Sequence, residues 1–200
     1  MQDKPMEINL ARPTPSEIIQ LWNTIQIQRL DNWTSAANAL KEKISEVFCN
    51  GGIQLHKFKI IADKNLDWFA QRNCLDEIDF LNSILSHKDL EEYRQDIQTF
   101  DNKPEVSNVK YYPDLHELFQ ALTEIMEQGG AYQKTNYETA RRLALNFVKL
   151  ELEMRITEFN CFFYNIASAH WFHHIAWDYS FLIFDKRKYE IIFIDMTDTD

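Results

Sequence analysis

The chain has 200 residues, of which 31 are acidic and 21 are basic, so its formal net charge at pH 7 is −10. Aromatic residues make up 14% of it, and it contains only four glycines and five prolines. This composition is typical of a globular domain with a substantial core and excludes a disordered or linker-rich chain. We predict one domain spanning residues 1–200.

The first third of the chain predicts two helices and a strand. Residues 14–17 (Thr-Pro-Ser-Glu) combine a capping box with proline at the first helical position, and apolar residues at helical spacing continue to Leu30. A second helix is predicted over 37–48, ending at the Asn-Gly-Gly of 50–52. Residues 53–62 alternate between apolar and polar types, which predicts a strand.

The middle of the chain is predicted to be helical and is strongly acidic. We expect three helices between Leu75 and Gly130: one over about 76–85, one capped by Ser86, and one beginning at Pro113. Residues 101–112 are predicted to form a loop. Between Asp76 and Glu127 there are thirteen carboxylates and four basic residues, so nearly all the excess negative charge lies in one quarter of the chain.

The last third predicts a long helix followed by a hairpin. Two rows of apolar residues at helical spacing indicate a central helix over 136–174. The apolar period then falls to two over 177–185 and 189–197, which indicates a hairpin covered on both faces. The predicted fold class is α+β: mainly helical, with the long central helix and a small antiparallel sheet built from this hairpin and residues 53–62.

A histidine cluster near the end of the predicted central helix is the main candidate for metal chemistry. His170 and His174 are four residues apart, so on a helix both face the same way, and Asp178 could supply a third ligand. The glutamate that a zinc protease carries between two such histidines is absent. The alternative is that histidines close the helix among neighbouring aromatic side chains. We predict no metal and no cofactor, and keep a metal-dependent hydrolase centred on His170, His174 and Asp178 as the alternative function.

Other motifs favour a cytoplasmic protein that binds neither nucleic acid nor membranes. No glycine-rich phosphate loop, basic stripe, signal peptide or long apolar span is present in the sequence. Three cysteines without CxxC spacing indicate reduced thiols. Asp195, Asp198 and Asp200 follow a buried strand, and we interpret them as a solvated acidic tail that discourages edge pairing.

The acidic segment supplies the leading functional hypothesis. Its carboxylates could steer a basic partner and fix its orientation, although an ordinary solvated helical face would have the same composition. We expect a non-catalytic protein-binding module whose acidic surface covers a basic site on another protein, as inhibitor and toxin-immunity proteins do. A homo-oligomer that uses the terminal hairpin as its interface is a third interpretation. The predicted partner-binding residues are Asp89, Glu91, Glu92, Asp96, Asp101 and Glu105.

Overall fold

A six-stranded antiparallel sheet organises the computed structural model, which describes residues 11–99 and 103–200. The strand order is β1-β2-β6-β5-β4-β3, so β1 and β3 form the two edges of the sheet. The strands are β1 Ile27–Leu30, β2 Gly52–Ile60, β3 Val106–Tyr112, β4 Phe159–Ile166, β5 Tyr179–Asp185 and β6 Glu190–Thr197.

Helices cover both faces of this sheet. In the described residues the α-helices are α1 Pro15–Thr24, α2 Ser35–Val47, α3 Lys64–Ala70, α4 Phe80–Leu85, α5 Glu91–Asp96, α6 His116–Gln128 and α7 Tyr137–Asn146. Helices α1, α3, α4 and α5 pack on one face, and α2, α6 and α7 pack on the other. Alternate residues of β6 therefore enter different cores, with Phe193 on the first face and Ile194 on the second. The result is a three-layer α+β fold.

Aromatic side chains fill much of the first core. The ring of Phe80 lies 5.9 Å from that of Phe162 and 5.2 Å from that of Phe184, joining α4 to two neighbouring strands. All three side chains are at most 2% exposed. Because each aromatic side chain buries a large area, such clusters contribute strongly to the stability of the core.

Several predicted elements are confirmed. Thr14 and Glu17 form the capping box at the start of α1, and α2 and α6 lie where helices were expected. Strands β5 and β6 form the predicted hairpin, and β2, predicted as 53–62, pairs with β6.

The predicted mainly helical fold with a small sheet is wrong, because the sheet has six strands, and the long central helix over 136–174 is wrong as well. Helix α7 ends at Asn146, and a π turn over Phe147–Glu151 follows it. Glu153 and Met154 then adopt positive φ angles of 53° and 54°, which an α-helix does not allow. The chain leaves the helix here and returns as strand β4, buried between β3 and β5.

Two further predictions are corrected. The segment expected to complete the first helix forms the edge strand β1, and the loop expected over 101–112 contains β3 from Val106 onward. Asn108 in β3 has a φ of 53° at an irregularity between Ser107 and Lys110, which interrupts the alternation that would have identified the strand. In the described part of the chain, no helix has the length and apolar character needed to cross a bilayer.

Candidate functional site

Four of the six predicted partner-binding carboxylates lie on α5 or in the turn before it. Glu91, Glu92 and Asp96 belong to α5, and Asp89 belongs to the 3₁₀ turn that precedes the helix. Glu105 lies just before β3. All five of these residues are exposed, whereas Asp101 lies outside the described residues.

The inner face of α5 explains why its outer face is acidic. Tyr93 is fully buried against the sheet. Arg94 is also buried, and its Nη1 donates to the carbonyl oxygens of Leu85 and His87 at 2.9 and 2.7 Å. The basic residue of α5 is therefore hydrogen-bonded inside the fold, and its charge interacts with only one outer carboxylate of the helix, that of Glu91.

Some of the carboxylates on and before α5 also form contacts that hold the fold together. Asp89 accepts a hydrogen bond from the backbone N–H of Ile27 at 3.0 Å, which holds the start of edge strand β1. Arg29 on β1 lies 2.5 Å from a carboxylate oxygen of Glu92 and 3.9 Å from one of Asp96. The carboxylates therefore attach β1 to α5 while leaving the surface with an excess of negative charge.

Asp96 has a second partner in His56 on β2, at 2.9 Å from Nε2. The imidazole is 5% exposed. Burial lowers the pKa of His56 despite the neighbouring carboxylate, so the neutral imidazole donates its Nε2–H to Asp96. This contact fixes the last turn of α5 on the sheet.

The sequence suggested that the excess negative charge lies on one side of the molecule. In the structure it is divided between the two faces of the sheet. Helix α6 packs on the opposite face of the sheet from α5. Its exposed Glu117, Glu124 and Glu127 therefore lie away from the surface formed by Asp89, Glu91, Glu92 and Asp96, which we call the α5 acidic face. Of the acidic segment, only the α5 acidic face remains a candidate binding surface.

The histidine cluster neither lies on a helix nor closes one, contrary to both interpretations of the sequence. His170, His173 and His174 belong to the segment 167–178 that connects β4 to β5, and all three are exposed. Asp178 accepts from the N–H of Ile175 at 3.0 Å and from Thr197 Oγ1 at 2.5 Å. Residues 11–99 and 103–200 contain no group of three or more His, Cys, Asp or Glu side chains that could hold a metal ion.

The interpretation of Asp195 and Asp198 as a solvated tail is wrong, because both are fully buried. Asp198 accepts backbone N–H bonds from Asn50 at 2.9 Å and Ala131 at 2.8 Å, so it ties two distant loops to the end of β6. A side chain at Gly130 would come within 2.0 Å of the Asp198 carboxylate, which explains the glycine there.

Asp195 is the feature that sequence reasoning missed. It lies in the central strand β6, where Tyr93 on α5 donates a hydrogen bond to it at 3.1 Å. Burial raises the pKa of Asp195 to about 7, although contacts with Ser180 and Tyr93 oppose the rise. The sequence did contain a signal for its burial: Asp195 lies within a strand whose neighbouring residues are apolar on both faces.

A row of polar residues crosses the sheet at the position of Asp195. Gln54, Asp195, Ser180 and Tyr164 are register partners on the adjacent strands β2, β6, β5 and β4. Ser180 lies close to Asp195, yet its Oγ makes no hydrogen bond of acceptable geometry, and Oδ1 of Asp195 and Oε1 of Gln54 are likewise without partners among the described residues. Such atoms are uncommon inside proteins, and here a hydroxyl that can donate faces a carboxylate oxygen that can accept.

Ser180 of this row and two residues near it, His174 and Asp178, are not arranged as a nucleophilic relay. Ser180, His174 and Asp178 line one cleft, but Ser180 Oγ has no partner and the Asp178 carboxylate is held by Ile175 and Thr197. No hydrogen-bonded relay therefore joins the three side chains. Burial also raises the pKa of the Cys161 thiol well above its ordinary value, which makes it a poor nucleophile.

The described residues thus offer two candidate sites: the α5 acidic face, and the polar row together with the cleft that Ser180, His174 and Asp178 line. No protein-family model matches this chain, and no curated protein matches it significantly.

Proposed function

We propose that this protein is a non-catalytic cytoplasmic binding module whose α5 acidic face covers a basic site on another protein. The observation that carries the proposal is the inward orientation of Arg94, which leaves Glu91, Glu92 and Asp96 on the outside of α5 with no exposed cation from their own helix. Inhibitor and toxin-immunity proteins are the functional class that this arrangement resembles in kind.

Electrostatics explains how such a surface would work. Carboxylates grouped on one face attract a basic partner over distances of about one Debye length and raise the rate of productive encounter. Arg29 neutralises part of this charge, and it also fixes the orientation of Glu92 relative to β1. An orienting contact of this kind favours specificity more than affinity.

The interpretation of the terminal hairpin as an oligomer interface loses its support. Strands β5 and β6 lie inside the sheet, and almost all their residues are buried by the two helical layers. The proposed cytoplasmic location would keep the free thiols of Cys49, Cys74 and Cys161 reduced.

Reversing one charge on the α5 acidic face tests the proposal. Glu91 accepts a hydrogen bond from Gln95 at 3.3 Å and is the carboxylate of this face with the least structural role. We expect Glu91→Lys to capture roughly threefold to tenfold less of a basic partner at low ionic strength, because the attractive field is weakened. The measurement is quantitative mass spectrometry of proteins captured from host extract by immobilised wild type and variant.

The matched control is Glu127→Lys, which makes the same charge change on α6 across the sheet. Support requires basic proteins that the wild type and Glu127→Lys capture equally and that Glu91→Lys captures weakly. Equal capture by both variants, or no enrichment of basic proteins by the wild type, would contradict the proposal.

A further inference from the structure

Strand β1 directs backbone groups away from the sheet, beside the α5 acidic face. The N–H of Ile61, just after β2, donates to the carbonyl oxygen of Gln26, just before β1, at 2.9 Å. Because hydrogen-bonded residues alternate along an antiparallel pair, the even-numbered residues of β1 bond to β2, whereas Ile27 and Arg29 present their N–H and C=O groups to the outer edge. The hydrogen bond from the Ile27 N–H to Asp89, which lies outside the sheet, agrees with this direction.

Arg29 is the residue of β1 at which a further strand can pair. It is exposed, and neither its backbone N–H nor its C=O has a hydrogen-bond partner within the described ranges. Asp89 already occupies the N–H of Ile27, so pairing begins at Arg29 and extends towards Asp31. In an antiparallel ladder, one guest residue opposite Arg29 can bond to both of its backbone groups.

The opposite edge of the sheet does not offer the same arrangement. In β3, Asn108 has a φ of 53° at the irregularity in the pairing with β4, so the backbone groups of this edge are not regularly spaced. The exposed charged residues on β3 and just before it are Lys103, Glu105 and Lys110. A regular guest strand with basic side chains therefore fits β1 better than β3.

The charges around β1 determine which side chains such a guest carries. Asp31 and Asp89 flank the strand, and their side chains are 84% and 30% exposed. Arg29 lies between them and is already paired with Asp31 and Glu92. His87 lies 3.7 Å from Asp89, and burial lowers its pKa, so the imidazole is neutral near pH 7. The charged groups from β1 to Asp31, in the 3₁₀ turn and in α5 are five carboxylates and three cations, one of them buried: Asp31, Asp89, Glu91, Glu92, Asp96, Arg29, Lys88 and the buried Arg94.

We infer that β1 binds an extended basic segment of the protein partner as an added antiparallel strand, an inference that rests on the proposed function. Opposed residues of an antiparallel pair point to the same face, so guest residues opposite Ile27, Arg29 and Asp31 lie on the α5 side. Basic side chains opposite Asp31 and Ile27 contact the carboxylates of Asp31 and Asp89. A small neutral residue opposite Arg29 avoids repulsion between like charges. The segment therefore carries lysine or arginine at positions four apart, with a neutral residue midway.

An amide-shift titration with the peptide acetyl-Thr-Lys-Val-Thr-Val-Lys-Thr-amide at low salt tests the inference. Two N-methylated forms have the same charge: one is methylated on the central threonine, whose N–H faces Arg29, and the other on the valine before it, whose N–H faces solvent. We expect the threonine form to bind roughly threefold to tenfold more weakly than the unmethylated peptide, because a backbone hydrogen bond is lost. The valine form should bind like the unmethylated peptide, and the largest amide shifts should centre on Arg29.

The variants Arg29→Pro and Arg29→Ala provide the matched test on the protein. Both remove the guanidinium, but only proline removes the outward N–H, which makes no bond to β2 and is therefore dispensable in an edge strand. We expect Arg29→Pro to bind the unmethylated peptide roughly threefold to tenfold more weakly than Arg29→Ala. The methylated peptides give the answer on the wild type even if Arg29→Pro fails to fold.

Equal binding of the three peptides, or a larger loss from the valine form, would overturn the inference, as would amide shifts centred on β3 or equal binding by the two Arg29 variants. A peptide with glutamate in place of both lysines separates this failure from that of the proposed function. If the lysine peptide still binds more tightly than the glutamate peptide, only the added strand is wrong. If the glutamate peptide binds equally well, the proposed acidic binding surface is wrong too.

Discussion

At the scale of single residues, the position of Asp195 makes the stability of the protein depend on pH. The side chain is fully buried in the central strand, and its pKa is raised from an ordinary value of 3.8 to about 7. The folded protein therefore holds a proton that the unfolded chain releases near pH 4. The stabilisation linked to this group is complete below about pH 4 and is lost as the pH rises through about 7.

Asp195→Asn should remove this dependence. The amide cannot ionise, and it supplies N–H donors beside the unpartnered Oε1 of Gln54. We expect the free energy of unfolding of the variant to exceed that of the wild type at pH 8 by up to about 4 kcal/mol, with the difference shrinking towards pH 4. Urea denaturation at pH 5 and pH 8 measures it.

The control for this experiment is Asp200→Asn, which neutralises an exposed carboxylate near the end of the same strand. Its profile should follow that of the wild type between pH 5 and pH 8. A parallel profile for Asp195→Asn would show that Asp195 is ionised in the fold at all these pH values, contrary to its environment.

Residue-level reasoning from sequence succeeded where the cause is local. The capping box of Thr14 and Glu17 depends on residues three apart, so the sequence alone reveals it. Asp195 was misplaced because its burial depends on Tyr93 and Ser180, which distant parts of the chain bring to it. An aspartate at the end of a strand has the same local pattern whether it is covered or solvated.

At the scale of elements, one buried ion pair joins three parts of the fold. Lys57 on β2 is bonded to Glu151 at the end of the π turn, and the two side chains are 4% and 2% exposed. Glu151 also accepts from the N–H and the hydroxyl of Thr34 at 3.0 and 2.7 Å, next to the start of α2. This carboxylate therefore positions a strand, a helix and a turn together.

Lys57→Met should destabilise the protein by about 3–5 kcal/mol, since it leaves the Glu151 carboxylate buried without its cation. Adding Glu151→Gln should recover much of the loss, because the amide oxygen still accepts from Thr34. Chemical denaturation of the single and double variants gives both values.

The same substitution at Lys43 provides a comparison, because its ion pair with Glu46 lies at the surface of α2. Lys43→Met should change stability by less than about 1 kcal/mol. If Lys57→Met were as mild as Lys43→Met, the buried pair would not be an essential link between these elements.

The incorrect central helix shows why element types could not all be predicted. Residues 147–166 place apolar side chains at both helical and alternating spacing, because β4 is buried on both faces. Periodicity cannot separate a buried strand from a buried helix in such a run. The chain leaves the helix at Glu153 and Met154, which adopt positive φ without the glycine that ordinarily signals it.

At the scale of the whole molecule, the sheet determines which charges act together. The sequence correctly located the excess of carboxylates in one quarter of the chain, but it could not show that β3 carries the chain across the sheet edge between α5 and α6. The α6 carboxylates consequently lie on the other side from those of α5. Strand order thus divides one acidic stretch of sequence into two separate surfaces.

The salt dependence of association tests the central claim that the α5 acidic face attracts a basic protein. The measurement is the association rate constant with the captured partner between about 0.01 M and about 0.15 M salt, over which the Debye length falls from about 30 Å to about 8 Å. The account predicts a steep decline for the wild type and for Glu127→Lys, and a shallower decline from a lower value for Glu91→Lys. A rate constant that is independent of salt, or equal slopes for all three proteins, would contradict it.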